Sequence, residues 1–284
     1  MKPLRVLVVV KNTPLSFDRE IRLRGFFSYP VPEFVWEFTP AGPTDALALK
    51  GKYDLVAYED GSEKQAVVCG FPTVCFVIDS TLSEAHYQVR ARRAEHVDVV
   101  LVDHDDLRKF PERSRRFPYC VNDHLFYDHG DAKTIDVSFH CGSSPERSEL
   151  RRKLAAFCQA NGHVYKSGIL PNVEYAHSMA RSKVIANWLR TPANRPHRIF
   201  DALACGAALI TGCIPIIAED GLVPDRDYIA VHSHEDLLCE AQRLLTTNAW
   251  KDLAQTGHRV VMERHTWAVR ARQLRQILAQ ELGL

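Results

Sequence analysis

The sequence predicts an α/β protein with two Rossmann-like parallel-sheet domains that face a cleft. Short apolar runs alternate with helical patterns, the alternation breaks at residues 111–131 and then restarts, and polar residues follow several apolar runs. Strands that alternate with helices favour a parallel sheet with right-handed crossovers. The 284 residues suffice for two such domains, each with its own core. In tandem, two such domains place a cleft at the carboxyl ends of their strands.

The first domain is predicted over residues 1–116 and contains apolar runs of strand length. They are Leu4–Val10, Glu33–Phe38, Tyr53–Tyr58, Phe71–Ile78 and Val97–Val102. Residues 16–27 and 81–96 have helical patterns, whereas residues 46–50 are too few to assign. Residues 111–131 are interpreted as the linker and the entry to the second domain, because Arg, Pro, His and Asp interrupt the alternation.

The second domain is predicted over residues 117–264, and residues 265–284 are predicted to form a helix that packs back on the first domain. Its expected strands are Thr134–His140, His163–Lys166, Val184–Trp188, Ala207–Thr211 and Tyr228–Val231. Its expected helices include Glu146–Ala160, Val173–Arg181 and Ser233–Thr246. Ser233 and Asp236 have the spacing of a capping box, which marks the start of the last of these helices.

The composition is that of an ordinary globular protein, with a formal net charge of +1 and 46% hydrophobic residues. No apolar run approaches the ~20 residues that span a bilayer, and Val6–Val10 is too short for the core of a signal peptide. We therefore expect a cytoplasmic protein without a transmembrane segment. The eight cysteines form no CxxC pair, which favours buried thiols in a reducing compartment.

The most informative stretch is residues 197–211, which predicts a short helix, a glycine stop and a buried strand. Arg198 and Asp201 are three positions apart, so a helix places them on one face. Gly206 can end the helix in a left-handed conformation. The uncharged run Ala207–Thr211 suits a strand that is covered on both faces. A charged pair beside such a strand is typical of a ligand site in an open α/β sheet.

This stretch resembles the nucleotide-binding signature of two-domain GT-B glycosyltransferases. It is most similar to the spore-maturation (CgeB-type) group of the glycosyl transferases group 1 family. Residues 221–228, 257–259 and 264–270 follow the order and spacing of that group, and residues 77–81 and 97–102 resemble its first domain. The resemblance implies transfer of a sugar from a nucleotide-diphosphate sugar, with a UDP-sugar expected, and with neither a metal nor another cofactor.

By this resemblance, Asp201 takes the position of the acidic residue that binds the donor ribose, and Arg198 neutralises the diphosphate. Asn187 and His197 are further candidates for contact with the sugar or the phosphates. Retaining relatives often carry a second acid eight positions before the ribose-binding residue. Here that position is Ala193, so the resemblance leaves the stereochemistry of the transfer open.

A second candidate phosphate site is the loop that contains Gly142 and Ser143, between a predicted strand and a predicted helix. Backbone N–H groups at a helix amino terminus favour an anion, and Arg147 lies one turn further along. An ordinary capped turn explains the same pattern.

An inverting transfer needs a general base near the acceptor hydroxyl. The candidates are Asp79, Asp18 and His86, all in the first domain. Asp79 is preferred because it follows an apolar run and matches a position of the resembled family.

Two other classes of function remain open. Asp103 and Asp105 follow a strand in a D-x-D pattern, as in metal-dependent GT-A transferases, where carboxylates hold a divalent cation against the donor diphosphate. An acidic helix start explains the same pattern, and the longer motif at residues 197–211 favours the metal-free alternative. A nucleotide-sugar epimerase or a non-catalytic binder of the same fold is the other class.

The acceptor is not identified by any motif. Basic runs occur at residues 90–93, 113–116 and 147–153. They suit solvated helix faces or an anionic acceptor. A glycan, a protein and a modified nucleobase in phage-type DNA are all compatible with the sequence.

Overall fold

A computed structural model describes residues 2–10, 26, 30–40, 45–58, 68–77, 96–102, 107, 111–189, 197–213 and 220–284. The chain divides into two compact units. The first comprises Met1–Tyr119 together with Trp267–Leu284, and the second comprises Cys120–Thr266. The last segment of the chain thus belongs to the first unit, as expected for a helix that packs back on the first domain.

The first unit contains a parallel sheet with the strand order β2-β1-β3-β4-β5-β6. Its strands are β1 (Leu4–Val9), β2 (Phe34–Thr39), β3 (Leu55–Tyr58), β4 (Thr73–Val77), β5 (Val99–Val102) and β6 (Ser114–Arg116). Every residue of β3, β4 and β5 is buried. Uninterrupted apolar runs are therefore the signal that identified these strands, as expected for a sheet covered on both faces.

Two short elements of the first unit differ from the sequence-based expectation. The interpretation of residues 111–131 as a linker is wrong for Ser114–Arg116, which pair with β5 as an edge strand. Their polar side chains give no apolar signal, because an edge strand can leave polar groups in solvent. Ala46–Leu49 forms the short helix α1, which the side chain of Asp45 caps by accepting from Leu47 N at 2.8 Å.

The second unit contains a second parallel sheet with the order β11-β10-β9-β7-β8. Its strands are β7 (Ile135–Phe139), β8 (Tyr165–Ser167), β9 (Ser182–Asn187), β10 (Ala208–Gly212) and β11 (Ile229–Val231). Its described helices are α2 (Pro145–Asn161), α3 (Asn172–Ala180), α4 (Arg198–Ala204), α5 (His234–Thr247) and α6 (Trp250–Arg264). Because the strands are parallel, their carboxyl ends share one edge of the sheet, here called the carboxyl edge.

Side-chain caps define where two helices of this unit begin. Ser144 precedes α2 and accepts from the backbone N–H of Arg147 at 3.3 Å. At the start of α5, Ser233 Oγ accepts from Asp236 N at 3.0 Å while Asp236 Oδ2 accepts from Ser233 N at 3.1 Å. This reciprocal arrangement confirms the predicted capping box.

The short helix α4 is anchored at its carboxyl end by side chains from elsewhere in the unit. Lys133 Nζ donates to Cys205 O at 2.9 Å and to Ala180 O at 2.7 Å. His258 Nδ1 lies 2.9 Å from Ala204 O, so this nitrogen carries the proton and donates. Donors at these positions satisfy carbonyls that have no partner within the helix.

The final helix, α7 (Trp267–Leu282), is held within the first unit by two arginines. Arg115 binds Glu281 in a bidentate pair, with Nε to Oε1 at 2.7 Å and Nη2 to Oε2 at 2.6 Å. Arg270 is buried, and its guanidinium lies 5.9 Å from the centre of the Phe117 ring. Charge pairing and cation–π contact therefore both stabilise this association.

All eight cysteines are described and none forms a disulfide; Cys75, Cys141, Cys158 and Cys205 are buried. Over the described residues, no helix combines the length and the apolar character that crossing a membrane requires.

Candidate functional site

The carboxyl edge of the second unit carries buried polar side chains at the ends of two central strands. Asn187 ends β9, and Thr211 lies near the end of the neighbouring β10. Asn187 Nδ2 donates to Thr211 Oγ1 at 2.8 Å, and Thr211 Oγ1 donates to Gly212 O at 3.2 Å. These bonds fix the Asn187 amide so that its Oδ1 atom remains available as an acceptor.

Two arginines from different helices converge on this edge. Arg198, the first residue of α4, donates from Nε to Asn187 Oδ1 at 3.4 Å. Arg147, in the first turn of α2, is buried and donates from Nε to Trp188 O at 3.0 Å. Two guanidinium groups therefore form hydrogen bonds with consecutive residues, Asn187 and Trp188, at the carboxyl end of β9.

A third arginine lies at the end of the adjacent strand β7. Arg151 Nη2 donates to Cys141 O at 3.0 Å. Burial raises the pKa of the Cys141 thiol, although the positive charges of Arg198, Arg147 and Arg151 each lower it. The charges of all three guanidinium groups thus act on one thiol, and we call these three arginines the arginine cluster.

The loop between β7 and α2 belongs to the same region. Gly142 has no atom within 4 Å of the position that a Cβ would occupy, so open space adjoins its backbone. Ser143 is exposed, and Ser144, not Ser143, caps the helix. The amino terminus of the 17-residue helix α2 adds the partial positive charge of its free N–H groups to that of the arginine cluster.

Arg198 and Asp201 have different environments although they share α4. Arg198 is partly exposed, and within the described part of the chain it forms no ion pair with a carboxylate. Asp201 is only 1% exposed, and its Oδ2 lies 3.8 Å from Nε2 of the buried His197. The guanidinium is the accessible charge of the pair, whereas the carboxylate is buried next to an imidazole.

His140 is a site-adjacent residue that the sequence analysis did not identify as functional. It is buried directly after β7, with Nδ1 3.1 Å from Gly168 O and Nε2 2.9 Å from Ser178 Oγ. Burial, together with the charges of Lys166 and Arg198, lowers its pKa to about 4, although the hydrogen bond to Gly168 O raises it. The only sequence signal was a histidine at the end of a predicted buried strand.

The candidate bases Asp79, Asp18 and His86 lie outside the described residues, as do Asp103 and Asp105 of the D-x-D pattern. Within the ranges that the structure covers, no group of three or more His, Cys, Asp or Glu side chains is arranged to hold a metal ion.

Comparison with solved structures shows the fold. Anabaena Alr3699/HepE in complex with UDP-glucose aligns with a TM-score of 0.68 at 11% identity, over 98% of this chain and 100% of that one. Sucrose-phosphate synthase from Thermosynechococcus elongatus aligns with a TM-score of 0.60 at 17% identity, over 97% and 88%. A glycosyltransferase from Rickettsia africae gives 0.59 at 10% identity, over 99% of both chains. The two α/β units therefore have the GT-B fold.

Comparison with protein families gives the assignment by sequence. No curated protein matches the chain significantly. The model of the glycosyl transferase-like family, however, matches residues 126–276. The matched region is more than half of the chain and includes the arginine cluster, Asn187 and Asp201. The chain belongs to the glycosyl transferase-like family.

Proposed function

We propose that this protein transfers a sugar from a nucleotide-diphosphate sugar, with a UDP-sugar as the expected donor, and that it is related to the spore-maturation (CgeB-type) group. The observation that carries the proposal is the convergence of Arg147 and Arg198 on consecutive residues at the end of β9. A diphosphate presents several anionic oxygens, and guanidinium groups bind such oxygens with charge-assisted hydrogen bonds. The UDP-glucose complex of Anabaena HepE, a protein of similar fold, supports the same class of donor.

The proposed chemistry is displacement at the anomeric carbon of the donor. An acceptor oxygen forms a bond to that carbon as the bond to the diphosphate oxygen breaks, and the electron pair leaves on the diphosphate. Arg198 and its two neighbours in the arginine cluster offset the negative charge that develops on this leaving group. Fixed cations at this edge take the role that a divalent metal has in other transferases, so we propose a metal-independent reaction.

The remaining donor contacts are assigned by position. Gly142 and Ser143 lie in the loop beside the amino terminus of α2, where backbone N–H groups favour a phosphate. Asp201 is proposed to accept from the donor ribose, and His197, at 3.8 Å from that carboxylate, is proposed to orient it.

The proton of the acceptor hydroxyl is proposed to pass to a base of the first unit. Asp79 is the preferred residue, with Asp18 and His86 as alternatives on sequence grounds alone. Replacement of Asp79 by Asn is expected to lower turnover much more than donor affinity, because Asn cannot accept a proton from the acceptor. Unchanged turnover in Asp79→Asn would remove it as the base.

A ligand screen tests the proposal directly. Thermal unfolding is followed with UDP, GDP and TDP and with their glucose conjugates, in EDTA, because a ligand that binds only the folded state raises Tm. We expect a shift with the uridine ligands that persists in EDTA and is reduced in Arg198→Ala. Arg243→Ala, which changes an exposed arginine of α5, is the control. No shift with any nucleotide diphosphate, or equal shifts in Arg198→Ala and the wild type, would overturn the site assignment.

Turnover separates a transferase from an epimerase or a simple binder. Release of UDP from a bound UDP-sugar is followed with candidate glycan, protein and DNA acceptors, and the products are weighed by mass spectrometry. A transferase adds one sugar mass to an acceptor for each UDP released. An epimerase interconverts the donor without net UDP release, and a binder does neither.

A further inference from the structure

Both ring nitrogens of His140 are used, and their partners determine its tautomer. Gly168 O, 3.1 Å from Nδ1, can only accept, so Nδ1 carries the proton. Nε2 then accepts from the Ser178 hydroxyl, 2.9 Å away. The ring edge also packs on Tyr175, with centroids 5.7 Å apart at an interplanar angle of 87°. His140 is therefore fixed in position and orientation as a neutral Nδ1–H imidazole.

Residues 168–171 connect β8 to α3 and are here called the 168–171 segment. The hydrogen bond from His140 Nδ1 to Gly168 O restrains the start of this segment. Gly168 has a φ of +130°, a conformation that other residues rarely adopt, so the backbone turns sharply at the bonded carbonyl. Ile169, next in the chain, is 72% exposed, so packing of its own side chain does not hold the segment. A hydrogen bond from a buried ring therefore restrains the start of the segment.

The segment starts beside the proposed donor site. His140 immediately precedes Cys141, whose carbonyl oxygen accepts from Arg151 of the arginine cluster, and the charge of Arg198 acts on the His140 ring. The strands β7 and β8 are paired, with Phe139 opposite Ser167, so both loops leave the sheet at the same edge. A ligand held by the arginine cluster thus has the 168–171 segment as a neighbour.

We propose that His140 is a positioning residue, which holds the 168–171 segment in one conformation next to the arginine cluster and so raises the affinity for the donor. This inference rests on the proposed function for the identity of its ligand. His140 itself does not touch the reacting atoms. Its contribution is preorganisation, because a segment that is already ordered loses less conformational entropy when the donor binds.

Two substitutions separate the hydrogen bond from the bulk of the ring. His140→Phe keeps a ring but removes both hydrogen bonds. His140→Asn places an amide N–H near the position of Nδ1 and can still donate to Gly168 O. Ser178→Ala removes only the hydroxyl that donates to Nε2, and the exposed His232 provides a matched control as His232→Phe.

The first measurement needs no ligand. Trypsin cleavage after the exposed Lys166 requires local opening at the end of β8, directly before the segment. Loss of the hydrogen bond to Gly168 O is expected to quicken this cleavage about tenfold in His140→Phe. Ser178→Ala should have a smaller effect, whereas His140→Asn and His232→Phe should resemble the wild type. Cleavage after Lys251, at the start of α6, reports on destabilisation of the whole unit, and its rate should be the same in all variants and the wild type.

The second measurement is the affinity for UDP by calorimetry at pH 7.5. His140→Phe is expected to bind UDP about tenfold more weakly, and His140→Asn is expected to recover most of that loss. Wild-type cleavage in His140→Phe overturns the holding role. Faster cleavage with unchanged UDP affinity overturns the role in donor binding, and so does weak binding that His140→Asn fails to recover.

These outcomes are distinct from a failure of the proposed function. If the wild type itself does not bind UDP, the proposed donor class is wrong, and the proposal that His140 raises the affinity for the donor is wrong as well. The cleavage rates then still decide whether His140 holds the segment. If His140→Phe does not fold, the comparison of Ser178→Ala with the wild type decides the same question.

Discussion

The guanidinium of Arg198 is oriented by Asn187, whose Oδ1 accepts from Arg198 Nε at 3.4 Å. Asn187 is itself held through its 2.8 Å bond to Thr211 Oγ1. A chain of hydrogen bonds therefore runs from the interior of the sheet to a partly exposed cation. Because Arg198 is partly exposed, its charge can attract an anionic ligand.

Replacement of Arg198 by Ala should weaken UDP binding by about 10- to 100-fold, the loss expected for charged hydrogen bonds worth about 1.5–3 kcal/mol. Arg198→Lys should recover only part of this loss, because an ammonium cannot reproduce the planar geometry of the guanidinium. Asn187→Ala should cause a smaller loss by releasing Arg198. Calorimetry with UDP measures all three, with Arg243→Ala as the control. Equal affinity in Arg198→Ala and the control would contradict the assignment.

Replacement of Asp201 by Asn tests the proposed ribose contact. The substitution keeps the size of a side chain that is only 1% exposed, so a cavity does not complicate the result. We expect weaker binding of UDP but unchanged binding of inorganic pyrophosphate, which has no ribose. If pyrophosphate binding weakens equally, Asp201 acts by maintaining the site as a whole and not by binding the nucleoside.

Replacement of Gly257 by Ala tests how closely α6 must approach α4. An added Cβ would overlap the carbonyl oxygen of Asp227 and lie 2.7 Å from Leu203 Cδ2. Ala elsewhere in a helix stabilises by about 1 kcal/mol relative to Gly, but overpacking here should destabilise by about 1–3 kcal/mol. Urea unfolding measures the change in the free energy of unfolding.

Gly142→Ala is the matched control, because no atom lies within 4 Å of its added Cβ. Its stability should remain close to that of the wild type. If Gly257→Ala proves more stable than the wild type, the close approach of the two helices is absent in solution.

The neutral state of His140 predicts a pH dependence of stability. Its pKa in the folded protein is about 4, mainly through burial and further through the charges of Lys166 and Arg198, against 6.5 for an unperturbed histidine. Between these values the unfolded chain binds the proton more readily than the folded protein. The contribution of neutral His140 to the free energy of unfolding is therefore fully present above pH 6.5, and it is lost as the pH falls towards 4.

The size of this effect follows from about 1.4 kcal/mol per unit of pKa. Between pH 6.5 and pH 5, His140 should account for about 2 kcal/mol of lost stability. Urea unfolding at the two pH values measures the loss, which should be smaller by that amount in His140→Asn, since Asn does not titrate. An equal pH dependence in both proteins would contradict the assigned pKa direction.

Much of the fold could be predicted from local patterns. The predicted helix Glu146–Ala160 corresponds to Pro145–Asn161, and the predicted strand Val184–Trp188 overlaps Ser182–Asn187. Both succeed because a buried parallel strand and a capped helix carry their signals within the segment itself. The strand Ser114–Arg116 was not predicted, because its conformation comes from pairing with β5 and its own residues carry no strand pattern.

The candidate site was only partly predictable. The motif around Arg198 and Asp201 drew attention to α4, but nothing local showed that Arg198 stays accessible while Asp201 is buried. Their three-residue spacing predicts a common face, yet the depth of each side chain depends on what packs beside it. His140 was overlooked because a histidine that ends an apolar strand has the same local pattern whether it fills space or holds a neighbouring loop.

The sequence by itself determined most strands and helices along the chain, the capping box at Ser233 and the presence of cationic side chains next to helix starts. The tertiary structure alone decided which of these side chains meet. Arg147 and Trp188 are 41 positions apart, and they come together because the chain crosses over α2 and later returns to place β9 beside β7. Strand order in a parallel sheet is set by packing between distant segments, so local patterns could not reveal that the arginines share one edge.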